Sequence, residues 1–247
     1  MGKKNIKLVL EYDGERYHGW QRQKEQATVQ GVIEKKIKLM TGAPVTLTAS
    51  GRTDAGVHAI HQACNFITES KIDPLSFKNG LNSLVPCDIH IKQAEYVPLD
   101  FHSRYSARSK VYEYRILNRD QPDIFLRNYS WHIRSVLNIS NMGECASLLM
   151  GLHDFSSFKS TGSGNLNPVR NMITVELHTP SPGALNIIFE ADGFLRHMVR
   201  NIVGTLVEVG SGRISMAEFR EIFQARDRQA AGMKSPPHGL FLKMVRY

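Results

Sequence analysis

Cysteine is scarce. The 247 residues hold three, Cys64, Cys87 and Cys145, scattered and never in a Cys-x-x-Cys pair. An odd, dispersed set supports neither a disulfide framework nor a zinc ribbon or iron–sulfur site, and it points to a reducing compartment. Long apolar runs are also missing: no stretch approaches the roughly 18 residues that a membrane-spanning helix needs. After Lys3 and Lys4 the apolar run lasts only from Ile6 to Leu10, is broken by Lys7, and meets Glu11 and Asp13. It reads as a strand entering a charged loop, not as a signal peptide, and the expectation is a soluble, cytoplasmic protein. Several catalytic signatures are absent as well. There is no Gly-x-x-x-x-Gly-Lys-[Ser/Thr], no Gly-x-Gly-x-x-Gly after a strand and no Gly-x-Ser-x-Gly, which removes support for ATP use, dinucleotide redox chemistry and serine hydrolysis. Pro86-Cys87 continues as Asp88-Ile89-His90 without a His-x-Glu upstream, so zinc-dependent base deamination fails too.

What is present is ordinary in bulk and unusual in charge. Hydrophobic residues make up 42% and charged residues 22%, the balance of a globular chain of one large or two small domains. A chain of this length buries about 70–75% of its unfolded surface, so no metal or disulfide staple is required. The formal net charge is +8. Bases cluster at Arg104, Arg108, Lys110, Arg115, Arg119, Arg127 and Arg134, interleaved with Phe101, Tyr105, Tyr112, Tyr114, Phe125, Tyr129 and Trp131. Cations beside flat rings suit phosphate backbones and unstacked bases. A merely solubilising basic surface explains the charge alone equally well.

Periodicity alternates between strand and helix. Lys3 to Asp13 reads as a strand; Thr28 caps a helix with Val29, Val32, Ile33, Ile37 and Met40 at helical spacing and Gly42 past its end. Pro44 to Ala49, His58 to Thr68 and Asp88 to Val97 read as strands, with a helix over Pro74 to Leu84. A similar order follows: a strand over Arg108 to Leu117, a helix headed by Asn141 and ending at Met150, a hairpin of Val169 to His178 with Ala184 to Ala191, a helix over Phe194 to Val209, a helix opened by the Ser215-x-x-Glu218 capping box, and a strand over Leu240 to Tyr247. The simplest architecture is α+β: two split-βαβ (ferredoxin-like) halves, mainly antiparallel, with helices on one face. The halves fall at residues 1–100 and 101–247. Lys159 to Pro168, rich in Gly, Ser and Asn, reads as a mobile loop.

The densest chemistry lies in Ala49-Ser-Gly-Arg-Thr-Asp-Ala-Gly-Val-His58. Glycines on both sides of Arg52, Thr53 and Asp54 allow a tight loop with polar side chains held outward. Asp54, two residues from a guanidinium, is either a nucleophile or base, or a carboxylate that merely satisfies loop amides. His58, His61 and Cys64 have a tempting metal spacing, but steps of three along a strand turn side chains to opposite faces, so no metal site is expected. Arg200 shares a predicted helix face with Arg196 and Gly204. Gly204 either lets something approach beside Arg200 or serves helix packing next to a solvated arginine. Tyr112 and Tyr114 point the same way along their strand, and a core role is expected for at least one.

Taken together, these segments resemble the TruA-type pseudouridine synthase family along nearly the whole chain: Tyr12-Asp-Gly, Tyr17-His-Gly-Trp-Gln-Arg-Gln23, Ser50-Gly-Arg-Thr-Asp-Ala-Gly-Val-His-Ala59, Val85-Pro-Cys-Asp-Ile89, Phe101-His-Ser-Arg, Tyr112-Glu-Tyr114, Gly151-Leu-His-Asp-Phe155, and His197-Met-Val-Arg-Asn-Ile-Val-Gly204. Ala63-Cys64, where bulkier apolar residues are usual, and Lys110, where arginine is frequent, are the departures. The resemblance implies a cofactor-free isomerase acting as a homodimer on the tRNA anticodon stem-loop, at uridines 38, 39 and 40, with its site in a cleft between the halves. It places the family's essential aspartate at Asp54, its basic partner at Arg200, a substrate-contacting tyrosine at Tyr112 and a base-extruding arginine at Arg52. The uridine must be flipped out of its helix, Arg52 fills the vacated space, and Tyr112 offers a ring to stack on. Asp54 then adds to the ribose C1′, adds to uracil C6, or promotes elimination, and either Asp54 or Tyr112 removes the C5 proton. The rival reading is a non-catalytic RNA-binding module with the same basic, aromatic surface.

Overall fold

The computed structural model describes residues 2–160 and 167–247. Of the glycine- and serine-rich segment Lys159–Pro168, residues 161–166 therefore lie outside the described residues. The chain is α+β, with five α-helices among the described residues, and it forms two compact units: Met1–Arg108 with Phe241–Tyr247, and Ser109–Leu240.

In the first unit, β1 (Lys4–Tyr12) pairs antiparallel with both β3 (His58–Thr68) and β4 (Ile89–Val97), and the short β2 (Thr48–Ala49) lies against β3. The C-terminal strand β10 (Leu240–Arg246) adds in parallel, placing Phe241 opposite His58. Along β1 only Lys4, Lys7 and Glu11 are partly exposed, and Ile6, Leu8, Leu10, Phe66 and Ile91 are wholly or almost wholly buried. Helix α1 (Val29–Thr41) starts where Thr28 accepts the Gly31 N–H and stops where Gly42 turns left-handed at φ 74°. Helix α2 (Pro74–Leu84) is capped by Asp73, and its Phe77 meets Phe66 of β3 edge-on at 5.5 Å. Both helices match the sequence expectation. The expected strand over Pro44 to Ala49 shrinks to its last two residues. Glu34 of α1 accepts the Leu47 N–H at 2.9 Å and Gln30 donates to the Leu47 carbonyl, so side chains occupy the groups a ladder would need.

In the second unit, β5 (Ser109–Asn118) pairs antiparallel with β9 (Ala184–Ala191), β9 with β8 (Val169–His178), and β8 with β7 (Gly151–Asp154), while β6 (Trp131–Ile133) runs parallel to β5. Helix α3 (Ile139–Ser147) is capped by Asn138, whose side chain accepts the Asn141 N–H. The cap thus sits three residues before the one the sequence pattern picked, and the helix ends short of Met150. Helix α4 runs Met198–Gly210, not from Phe194. His197, at φ 61°, breaks the helical path, so the apolar spacing of Phe194 and Leu195 belongs to the chain that precedes the helix. Helix α5 (Met216–Ala225) opens with both bonds of the Ser215–Glu218 capping box. Its Phe219 and Phe223 pack on Phe158, forming with Phe155 an aromatic cluster. Every residue of α4 except Glu208 is buried, which makes it the core helix of this unit. No helix among the described residues is long and apolar enough to cross a membrane.

Candidate active site

Asp54 lies between β2 and β3, in a segment without ladder hydrogen bonds, and is half-buried between a buried Thr53 and an exposed Ala55. What fixes the segment comes from its neighbours. Ser50 N–H donates to the Ala63 carbonyl at 2.8 Å, and Ser50 Oγ donates to Gln62 Oε1 at 2.7 Å. Gln62 Nε2 in turn donates to the Gly51 carbonyl at 2.9 Å. On the far side, the Thr53 carbonyl accepts the Trp20 N–H and the Tyr17 carbonyl accepts the Gly56 N–H. Val57 N–H closes the turn on the Asp54 carbonyl at 3.1 Å. Two glycines in the Tyr12–Trp20 stretch make this close approach possible. A Cβ on Gly14 would sit 2.1 Å from the Val57 carbonyl oxygen, and one on Gly19, at φ +86°, would sit 2.6 Å from the Thr53 oxygen. Within the Asp54 loop Gly56 takes the left-handed backbone, at φ 75°, whereas the close approach of the neighbouring stretch is made by glycines outside the loop. Arg52, on the same loop, is exposed.

Beneath the loop, the Tyr12 phenol and the Thr53 hydroxyl are 2.7 Å apart. Burial pushes the Tyr12 phenol well above its ordinary range, against the opposing hydrogen bonds of Thr53 and Gln62, so it stays a neutral hydroxyl. Trp20 packs beside Tyr12 with ring centroids 6.1 Å apart.

Arg200 and Tyr112 belong to the second unit. Arg200 stands in the first turn of α4 and is 7% exposed. Its Nε donates to the Ser235 carbonyl at 2.8 Å, and the Ser235 N–H donates back to the Arg200 carbonyl at 3.1 Å. The segment around Ser235 crosses α4 closely enough that a Cβ on Gly204 would lie 1.7 Å from the Met233 carbonyl oxygen. This decides between the two readings of Gly204: the chain's own backbone is what approaches, and the arginine is buried, not solvated. Arg196 does not share the helix face expected for it, because it precedes the helix. The crossing segment is tied down further by Gly232 N–H to Thr205 Oγ1, Met233 N–H to Glu208 Oε1, and Arg228 to the carbonyls of Ala231 and Gly232.

Tyr112 and Tyr114 are both buried on β5. Tyr112 meets Phe194 edge-on at 5.0 Å. Tyr114 donates its hydroxyl to the Pro236 carbonyl at 2.8 Å. Burial raises the Tyr114 phenol, while Ser235 and the Arg200 charge pull in the opposite direction; Tyr114 and Arg200 bond to adjacent carbonyls of the same segment, those of Pro236 and Ser235. Sequence reasoning missed Ser235 and Gln62 as supports of the arginine and the aspartate. Their signal is weak: a serine before two prolines, and one of the two amides of β3.

The tempting His58–Cys64 spacing has structural uses. His58 is buried, stacks on Phe241 at 4.7 Å, and its Nδ1 lies 3.0 Å from both Gly14 N and Asp13 Oδ1, tying that turn to β3. Cys64 is fully buried, and burial raises its thiol far above the ordinary range. Among the described residues no three His, Cys, Asp or Glu side chains gather to hold a metal ion. The basic, aromatic segment divides in two. Arg104, Arg108, Arg119, Arg127 and Arg134 are exposed, as are Tyr105 (76%) and Phe125 (81%), whereas Tyr112 and Tyr114 are interior. Tyr105 is held against His102 at 4.2 Å, so an exposed ring is kept in place on the surface.

Comparison with known proteins agrees with this assembly of motifs. A family model described as tRNA pseudouridine synthase matches residues 8–106 and 145–247. The tRNA pseudouridine synthase A of Thermoanaerobacter sp. (strain X514) is 46% identical over 244 residues, covering 99% of this chain and 100% of the relative. That of Acetivibrio thermocellus is 45% identical over 244 residues, with the same coverage. A protein of Clostridium tetani named tRNA pseudouridine synthase A 2 is 43% identical over 246 residues, 99% of each chain.

Proposed function

We propose how the reaction runs from one premise: this chain belongs to the tRNA pseudouridine synthase family and is an isomerase acting on tRNA. That membership favours a catalyst over a non-catalytic RNA-binding module. In the proposed reaction the N1–C1′ bond of a uridine breaks, the base turns, and C5 bonds to C1′ while the C5 proton leaves and N1 takes one up. Asp54 supplies the anion at the reacting sugar or base, Arg200 is its basic partner, Tyr112 contacts the flipped base, and Arg52 takes up the space that the base vacates. The proposed substrates are uridines 38, 39 and 40 of the anticodon stem-loop, bound by a cytoplasmic homodimer of two ferredoxin-like halves, 1–100 with the Asp54 loop and 101–247 with Tyr112 and Arg200. No cofactor takes part.

The observation that supports this reading most is the way Asp54 is held. A carboxylate that merely satisfied loop amides would need no outside support, yet its loop is gripped by β1, β3 and the Gly14–Trp20 stretch at once. Holding a reactive group within about 0.5 Å of its working position is what catalysis demands of such a loop. The exposed Arg52 next to it, and the exposed arginines with Tyr105, match a partner that carries phosphates and unstacked bases. Incubating the purified chain with tRNA transcripts and mapping the product tests the proposal. Pseudouridine at positions 38 to 40 is the expected result; no product, or product only outside the anticodon stem-loop, overturns it.

A further inference from the structure

We infer that the buried pair of hydroxyls under the Asp54 loop, Tyr12 and Thr53, together with Gln62, forms a clamp that sets the position of the Asp54 carboxylate, so that Tyr12 and Gln62 are positioning residues for the isomerisation. This rests on the assignment of Asp54 made above. Tyr12 is 4%, Thr53 6% and Gln62 0% exposed. Such groups add little net stability when paired, and an apolar set of similar shape would fill the space at no loss. Their retention in the core therefore asks for another reason, and their geometry supplies one. Gln62 grips the loop where it leaves β2, at Ser50 and Gly51. Tyr12 grips it at Thr53, the residue before Asp54. Gln62 and Tyr12 thus hold the two ends of one short stretch, Ser50 to Thr53.

The strands are shaped for this purpose. β1 and β3 pair regularly from Lys4–Thr68 to Leu10–Gln62, and then the register slips so that Tyr12 faces Ala59. The slip, of the kind a β-bulge produces, falls between the Leu10–Gln62 and Tyr12–Ala59 pairs, next to both side chains of the clamp. Bulges at such places re-aim side chains. The loop itself has no ladder bonds, and Tyr12 and Gln62 add side-chain grips at the two ends of its Ser50–Thr53 stretch to the backbone contacts with Tyr17, Trp20 and Ala63. A displacement of about 1 Å in a reacting group lowers turnover by up to about 100-fold while leaving distant binding contacts untouched.

The test uses Tyr12→Phe, Thr53→Val, the double variant, Thr53→Ser and Asp54→Asn in the full chain. Single-turnover conversion of tRNA, tRNA dissociation constants and Tm are measured for each. Each single variant removes the Tyr12–Thr53 hydrogen bond while leaving a buried hydroxyl behind and so lowers Tm; the double variant removes both hydroxyls and regains most of the Tm. The clamp predicts that Tyr12→Phe, Thr53→Val and the double variant all convert about 10- to 100-fold more slowly, with tRNA affinity unchanged, and that Thr53→Ser restores the rate. Recovery of the rate along with Tm in the double variant overturns the inference, as does a Thr53→Ser variant as slow as Thr53→Val. If Asp54→Asn is inactive while Tyr12→Phe and Thr53→Val match wild type, the clamp alone fails. If Asp54→Asn matches wild type, the assignment beneath it fails.

Discussion

The loop that carries Asp54 and the helix that carries Arg200 fix a charged side chain by different means. The loop has no ladder hydrogen bonds, so its order is borrowed from other elements: two side chains of β1 and β3, and a glycine-bearing stretch whose backbone presses against it. The helix is rigid on its own account, since α4 is buried on every side but Glu208. There the difficulty is the long guanidinium, and a second piece of backbone settles it by accepting its Nε–H at Ser235. The loop needs polar side chains to hold its backbone, whereas the helix needs a foreign backbone to hold its side chain. In both places a glycine makes the close approach possible.

Substitutions on the two sides sharpen this contrast. The largest effect is expected from Arg200→Ala. Loss of one preorganised charged donor lowers turnover by about 10²- to 10³-fold, and tRNA affinity should change far less. An equal loss in rate and affinity, read from single-turnover kinetics and filter binding, would make Arg200 a phosphate contact. Next comes Gly204→Ala. Its methyl would collide with the Met233 carbonyl, and overpacking of this kind costs about 1–3 kcal/mol or somewhat more, seen as a lower urea midpoint. Gly14→Ala presses on the Val57 carbonyl and should cost toward the lower end of that range, because a loop yields more readily than a core helix. Its turnover should nonetheless fall more than its stability would explain. Ser215→Ala removes one half of the α5 capping box and should cost about 1 kcal/mol of stability with turnover intact, which makes it the control for both.

The elements were legible in the sequence wherever a cap or a strict period marked them. Thr28 with Gly42 and Ser215 with Glu218 each named their helix, and the alternation along β9 its strand. The misses share a cause: a competing local bond. Glu34 and Gln30 took the Leu47 backbone out of a strand, Asn138 captured the cap expected of Asn141, and the left-handed His197 delayed α4 although apolar spacing continued through Phe194. For the candidate site, the glycine-flanked Arg52–Asp54 string stood out as the densest cluster of polar side chains and through its family resemblance, although Gly- and Asp-containing turns are common in themselves. Gln62 and Ser235 did not, since their importance lies in contacts with residues far along the chain, which periodicity does not report. Arg200 stood out as a charge in an apolar helix, but its burial became visible only with the segment that crosses it.

The central claim is that the Asp54 carboxylate is the group on which isomerisation depends. Asp54→Asn keeps the shape of the side chain and removes its charge. With tRNA carrying tritium at uridine C5, this variant should bind as wild type does and release no tritium above the enzyme-free background. Release at the wild-type rate would contradict the account.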